Sequence, residues 1–298
     1  MTDPEYWKLQ YLGHGDENNT VVTSSDWPGH TSSTRWPQIL SRYCELSLTY
    51  DKDILPAFQG VARTFQAERK CAYYAGLWED TLLHDLVWAY YGGTETRRSG
   101  SYRAPSWSWA SFYYAAQAND ENRSRISWMS NLMPPSNKVG LNKGFVDSEE
   151  VLKDKARVVY VSTTPVGADP LGEVSAGTLV LSGRCLLATE KVTMAMDYFD
   201  RELKLHRHDD EHTEIVRPYM FEWHHDCSPK VDPHEDFFLM EILQDQPRFH
   251  QYSVSLAFSS VKEGKSELYK RVGMVTYCIK GSKDIFEQWG EDRTLTII

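Results

Sequence analysis

The chain has 298 residues, 41% hydrophobic and 13% aromatic, enough for one large core or two modest ones without disulfide or metal staples. Its formal net charge of -10 and isoelectric point near 5.5 argue against an extended phosphate-binding surface, so nucleic acid is not an expected partner. No window approaches the roughly 20 apolar residues that span a bilayer, and Met1 to Gln10 carries Asp3, Pro4 and Glu5 instead of a basic stretch. These features predict a cytoplasmic protein with no membrane partner.

The predicted elements begin with a flexible N-terminal tail over 1–35, rich in Gly, Asn, Ser, Thr and Asp from Gly13 onward. A helical segment follows over 36–100. Trp36, Ile39, Leu40 and Tyr43 recur at helical spacing, with Thr34 as cap and Pro37 in the first turn. Leu55, Phe58, Val61, Ala62 and Phe65 form a second apolar stripe after Asp53, and the interior Gly60 marks an expected close helix contact. A third helix is predicted from Trp78 to Tyr90, stopped by Gly92-Gly93. From 101 to 298 the period shifts toward two. Strands are predicted at Ser106 to Phe112, Arg157 to Thr163, Thr178 to Leu187, Ile215 to Trp223, Phe237 to Leu243, Ser253 to Phe258, Leu268 to Tyr277 and Thr294 to Ile298. Lys262-Glu263-Gly264-Lys265 reads as a hairpin turn that makes its flanking strands antiparallel neighbours. The polar stretch between Ala115 and Ser148 reads as a surface insertion. The fold class is therefore α+β: an N-terminal helical segment packed on an antiparallel, barrel- or sandwich-like β-rich part, with 36–298 one co-folded unit.

Chemistry is sparsely written in the chain. His206, His208, Asp209, Asp210, Glu211 and His212, followed by His224, His225, Asp226, Cys227 and His234, are metal-ligating types, and His208 and His212 would share one face of a helix. The charged run with Arg201, Lys204 and Arg207 reads instead as a solvated hairpin connection, so His206, His208 and His212 stay weak candidates and no metal or other cofactor is expected. Five scattered cysteines, Cys44, Cys71, Cys185, Cys227 and Cys278, form neither a zinc knuckle nor a disulfide framework. No Gly-x-Ser-x-Gly elbow occurs, and no catalytic residue is assigned. Arg103 reads as a structural guanidinium bonded to backbone carbonyls or to Glu79 or Asp80, with an anion clamp as the alternative. In Ala104-Pro105-Ser106-Trp107-Ser108-Trp109-Ala110, a strand would point Trp107 and Trp109 to one side and Ser106 and Ser108 to the other. Trp78, Trp88, Trp107 and Trp109 read as core, at the junction of helices and sheet.

Several segments, in order and spacing, resemble the downstream region of fungal heterokaryon incompatibility proteins. They are Trp36 with Tyr43, Leu48 to Asp53, Leu55-Pro56-Ala57, Gly60-Val61-Ala62, Tyr74-Ala75-Gly76-Leu77-Trp78, Leu86-Val87-Trp88 and Tyr102 to Ala110. Gly172-Glu173-Val174, Gly177 to Gly183, Tyr269 to Gly273 and Thr294 to Ile298 extend the resemblance to about residues 36–298. It implies a non-enzymatic regulatory or interaction module of non-self recognition and programmed cell death, in which Trp78, Trp88, Arg103, Pro105, Trp107 and Trp109 are architectural. The family's effector domain, similar in fold to Toll/interleukin-receptor domains, would precede Trp36 and its segments are not found here. The chain is therefore expected to be a fragment, an independent product, or the split partner of an effector domain acting in trans. A metal-dependent hydrolase using the His206 to His234 cluster is the alternative from another class.

Overall fold

The computed structural model describes residues 32–44, 46, 48–91, 96–98, 101–114, 125–128, 153–195, 198–206, 213–216, 220–226, 236–244, 251–263, 266–279 and 284–298. Helix α1, Ser32–Tyr43, buries Trp36, Ile39, Leu40 and Tyr43 along one stripe, as their spacing requires. It starts earlier than predicted, so Pro37 lies inside it and not in its first turn. Two 3-10 turns, Asp51–Ile54 and Pro56–Phe58, lead into α2, Gln59–Arg69, which buries Ala62 and Phe65 and ends at Lys70 in the left-handed region, φ 54°. Gly60 mediates no close contact: a Cβ there would meet nothing within 4 Å.

The predicted third helix is largely replaced. Strands β1, Tyr73–Tyr74, and β2, Leu77–Trp78, form a hairpin; α3 spans only Leu82–Leu86; and β3, Trp88–Tyr91, follows it. The apolar run has two buried sides, which a helical stripe cannot distinguish from a turn followed by a strand. Gly92-Gly93 lies outside the described residues. Strand β4, Thr96–Arg98, pairs with β5, Phe112–Tyr114, and β6, Arg125–Trp128, pairs with β3, placing Trp88 opposite Trp128. Part of the predicted insertion is thus ordered as β6; its remaining residues lie outside the described set.

The rest is one large, mostly antiparallel sheet. Its strands are β7, Lys153–Asp154; β8, Ala156–Pro165; β9, Val174–Ala195; β10, Tyr198–His206; β11, Thr213–Val216; β12, Met220–His225; β13, Asp236–Gln244; β14, Gln251–Glu263; β15, Ser266–Ile279; and β16, Glu291–Ile297, the last preceded by α4, Ile285–Trp289. The strand predicted over Ile215 to Trp223 is divided between β11 and β12. Strands β14 and β15 are the antiparallel pair expected around Lys262 to Lys265, with Glu263 opposite Ser266.

The long β9 serves two neighbourhoods: its first part pairs with β8 and β16, its second with β13 and β10. Since β13 pairs with β14, β14 with β15, and β15 with β16 through Tyr269 and Ile297, this path of pairings returns to β9. The β15–β16 pairing is parallel; the other pairings are antiparallel. One face of the sheet gives Leu179, Leu181, Met240, Leu256, Phe258, Met274 and Ile297 to the main core, where α1, α2 and the tryptophans pack. The other face carries a smaller core of Leu186, Ala188, Phe237, Leu239, Ala257 and Val275, covered by Ile285 and Phe286 of α4. Among the described residues no helix is long and apolar enough to cross a membrane.

Candidate functional site

The turn between β1 and β2 holds Ala75 at φ 47° and Gly76 at φ 99°, the paired positive values of a tight hairpin turn. A Cβ on Gly76 would collide with the Trp109 indole. Without it, the Gly76 carbonyl accepts two indole N–H groups, from Trp36 at 3.2 Å and Trp109 at 3.1 Å. Around this point Trp36 meets Phe58, Phe65, Tyr73 and Trp78, mostly edge to face, with centroids 5.1 to 5.9 Å apart. The Tyr-Ala-Gly-Leu-Trp segment is thereby a turn that anchors two tryptophans distant in sequence.

The segment from Ala104 to Ser111 is not the predicted strand. Ser108 N–H donates to the Pro105 carbonyl at 2.9 Å, and a 3-10 turn covers Trp109–Ser111. The Ser108 hydroxyl donates to the Ala75 carbonyl at 2.6 Å and accepts from Ala110 N–H at 3.1 Å, acting as the cap of that turn. Two-residue alternation has no meaning here: Trp107, Trp109, Ser106, Ser108 and Ala110 are all buried. Pro105 is buried as well and packs on β9 at Gly177, where a Cβ would run into its ring. The Trp88 indole N–H donates to the Trp107 carbonyl at 3.1 Å.

Arg271 of β15 completes this seam. It is fully buried, with its guanidinium 3.5 Å from the centroid of the Trp88 ring. Its terminal nitrogens donate to the carbonyls of Leu86 at 2.6 Å and Trp88 at 2.5 Å, and its Nε lies 3.0 Å from the buried Asp226 carboxylate. Its backbone N–H donates to Ser106 Oγ at 3.1 Å, and Ser106 N–H donates to the Ile298 carbonyl at 3.1 Å. Arg271 therefore joins β15 to β3 through its guanidinium and, through its backbone N–H and Ser106, to the Pro105 turn and the strand end at Ile298. Chemically, this arrangement fixes backbone carbonyls and aromatic planes.

The remaining candidates fall in separate places. Trp78 is buried in β2 beneath the Arg69 guanidinium, 5.2 Å away. Asp80 pairs with Arg69 at 2.6 Å, and Glu79 accepts the Ala72 N–H at 3.2 Å. Arg103 is buried, and its charge acts on the Tyr43 phenol, whose ionisation burial opposes. His206 lies on β10 opposite Thr213, whereas His208, His212 and His234 lie outside the described residues. Among the described residues, no group of three or more His, Cys, Asp or Glu side chains is placed to hold a metal ion. Cys44 follows α1 and is buried; Cys71 lies in the bend after α2, and burial raises its thiol above the ordinary value.

Sequence reasoning passed over Arg271 and Asp226 as a pair, and also Asp85. Burial pushes the Asp85 carboxyl up to about 7, although it accepts the Trp78 N–H at 2.9 Å. A carboxylate inside Leu82-Leu83-His84-Asp85-Leu86-Val87-Trp88 was the available signal. No family model matches this chain, and neither a curated protein nor a solved structure matches it.

Proposed function

We propose that this chain is a non-catalytic regulatory or interaction module of the heterokaryon incompatibility type, working in the cytoplasm with an effector domain as its protein partner. The observation that carries the reading is convergence. Leu86 to Trp88, Tyr102 to Ala110, Gly177, Tyr269 to Gly273 and Thr294 to Ile298 are far apart in sequence yet meet at the Arg271 seam, where single contacts bridge up to 192 residues. Segments picked out for their likeness to one family thus form one structural unit, which supports a shared architecture and not a chance set of short matches. The polar groups at the seam bond to carbonyls and to one another, which supports an architectural use of them. The returning path β9–β13–β14–β15–β16 supports a barrel-like scaffold beneath the helices. Free thiols at Cys71 and Cys185 fit a reducing compartment.

Co-expression with an isolated effector domain of that family tests the reading. A complex that survives size-exclusion chromatography is the expected result; a chain that always elutes alone rejects the partner. Nucleotide cleavage is the activity that the family's effector domain implies, so incubation with NAD tests its absence here, and nicotinamide release above a heat-treated control would reject the non-catalytic reading.

A further inference from the structure

On the sheet face opposite the main core, the apolar row under α4 ends in a polar patch. Strand β13 is bulged at Ile242, since Glu241 opposes Ser255 while Leu243 opposes Val254. The extra residue brings Glu241 and Gln244, three apart, to the same face beside Ser253, where plain alternation would separate them. Gln244 Nε2 donates to Glu241 Oε1 at 3.2 Å and to Asp284 Oδ2 at 3.0 Å, so two carboxyl groups hang on one amide nitrogen. Ser253 Oγ donates to Glu241 Oε1 at 2.9 Å, and Ser255, directly across from Glu241, is also buried. Glu241, Gln244 and Asp284 are all buried. Asp284 is at once the cap of α4, accepting the Phe286 N–H at 2.8 Å.

We propose that Glu241, set against Asp284 at the cap of α4, forms a proton-operated latch: with a proton held on Glu241 α4 is closed over the sheet, and with Glu241 ionised it releases. Among the described residues the charged groups around Glu241 are Asp284 and Glu287 from the α4 segment, Lys155 from the connector between β7 and β8, whose Nζ is 4.0 Å from Oε2, and Lys153 of β7, which pairs opposite Gln244. Among its described side chains, strand β14 contributes the neutral Ser253 and Ser255 hydroxyls, and Arg184 of β9 is directed to the Glu287 and Gly290 carbonyls at the far end of α4. Burial, and then the Asp284 charge, push the Glu241 carboxyl up to about 7 against the partial relief from Lys155. The closed form binds the proton more tightly than the open form, so closure is fullest below the ordinary glutamate value. It weakens as pH rises, and levels off above about 7. Release uncovers Leu186, Phe237, Leu239 and Val275, an apolar surface that the closed form hides.

Hydrogen exchange of peptides covering 285–289, corrected for intrinsic rates and referred to peptides of β9, tests the latch between pH 5 and 8. The reference removes any loss of stability shared by the whole molecule. The expected result is relative protection of α4 that falls by up to about tenfold per pH unit and flattens above about pH 7. Glu241→Gln should abolish the slope, and Asp284→Asn, which keeps a capping oxygen, should move the fall to lower pH. A flat wild-type profile overturns the proposal, as does an unaltered slope in Glu241→Gln. Should Glu241→Gln fail to fold, Asp284→Asn decides: an unshifted midpoint overturns the latch.

Discussion

A methyl group added at Gly76 meets the Trp109 indole, and a φ of 99° is unfavourable to any side chain. Gly76→Ala is therefore expected to cost about 3 kcal/mol, read as a fall in the denaturant midpoint at unchanged slope. Gly60 is the opposite case. It lies exposed in helical backbone with open space where a Cβ would sit, so Gly60→Ala should raise stability by about 0.5 kcal/mol, mainly by restricting the unfolded chain. Arg271 combines an ion pair, two carbonyl bonds and an aromatic face, and Arg271→Met takes the guanidinium from the buried Asp226. The expected loss is about 3 to 5 kcal/mol, and adding Asp226→Leu should recover part of it because the buried carboxylate is then removed. If the double variant is no more stable than the single one, the ion pair is not what makes Arg271 matter.

Among the elements, those with an unambiguous period were legible and those set by distant partners were not. Helix α1 followed from Trp36, Ile39, Leu40 and Tyr43, and β8, β9, β13, β14, β15 and β16 from β-branched and aromatic alternation. The Trp107-Ser108-Trp109 segment mimicked a strand because its residues alternate in type. Its turn depends on the Ala75 carbonyl, which Ser108 reaches from 33 residues away. The hairpin at Ala75-Gly76 was hidden for a similar reason: the advantage of its positive φ angles comes from Trp36 and Trp109, both far in sequence. Of the candidate site, the tryptophans and Pro105 were visible as residue types, whereas Arg271 was one basic residue within a predicted strand. The Glu241 patch depends on a bulge, which shifts register by one residue and leaves no mark in composition. At this scale Asp85 carries a prediction for the α3 region. Its folded carboxyl holds a proton up to about 7 against an ordinary value of 3.8, so its contribution to stability is full at low pH and is lost as pH rises to about 7. Melting temperatures at pH 5 and pH 8 should differ in the wild type, and Asp85→Asn should narrow the gap; an unchanged gap would remove Asp85 from the account. Each unit of displacement corresponds to about 1.4 kcal/mol.

For the molecule as a whole, the seam ties the helical part to the sheet through buried groups, so the two should unfold together. Tryptophan fluorescence, to which the buried indoles Trp36, Trp78, Trp88, Trp107, Trp109 and Trp128 contribute, and far-ultraviolet circular dichroism are expected to report coincident transitions. Two separated transitions would show that the Arg271 contacts do not couple them. The same seam also orders events in time. Trp88 and Leu86 wait for a guanidinium 183 and 185 residues further along the chain. At about 5 to 20 residues per second of synthesis, that is a delay of roughly 10 to 40 seconds during which the aromatic half exists without its closing partner. A nascent chain of this kind is expected to be an aggregation-prone client for chaperones while that delay lasts, so its yield in a cell should respond to elongation speed and holdase supply as well as to the stability of the finished fold.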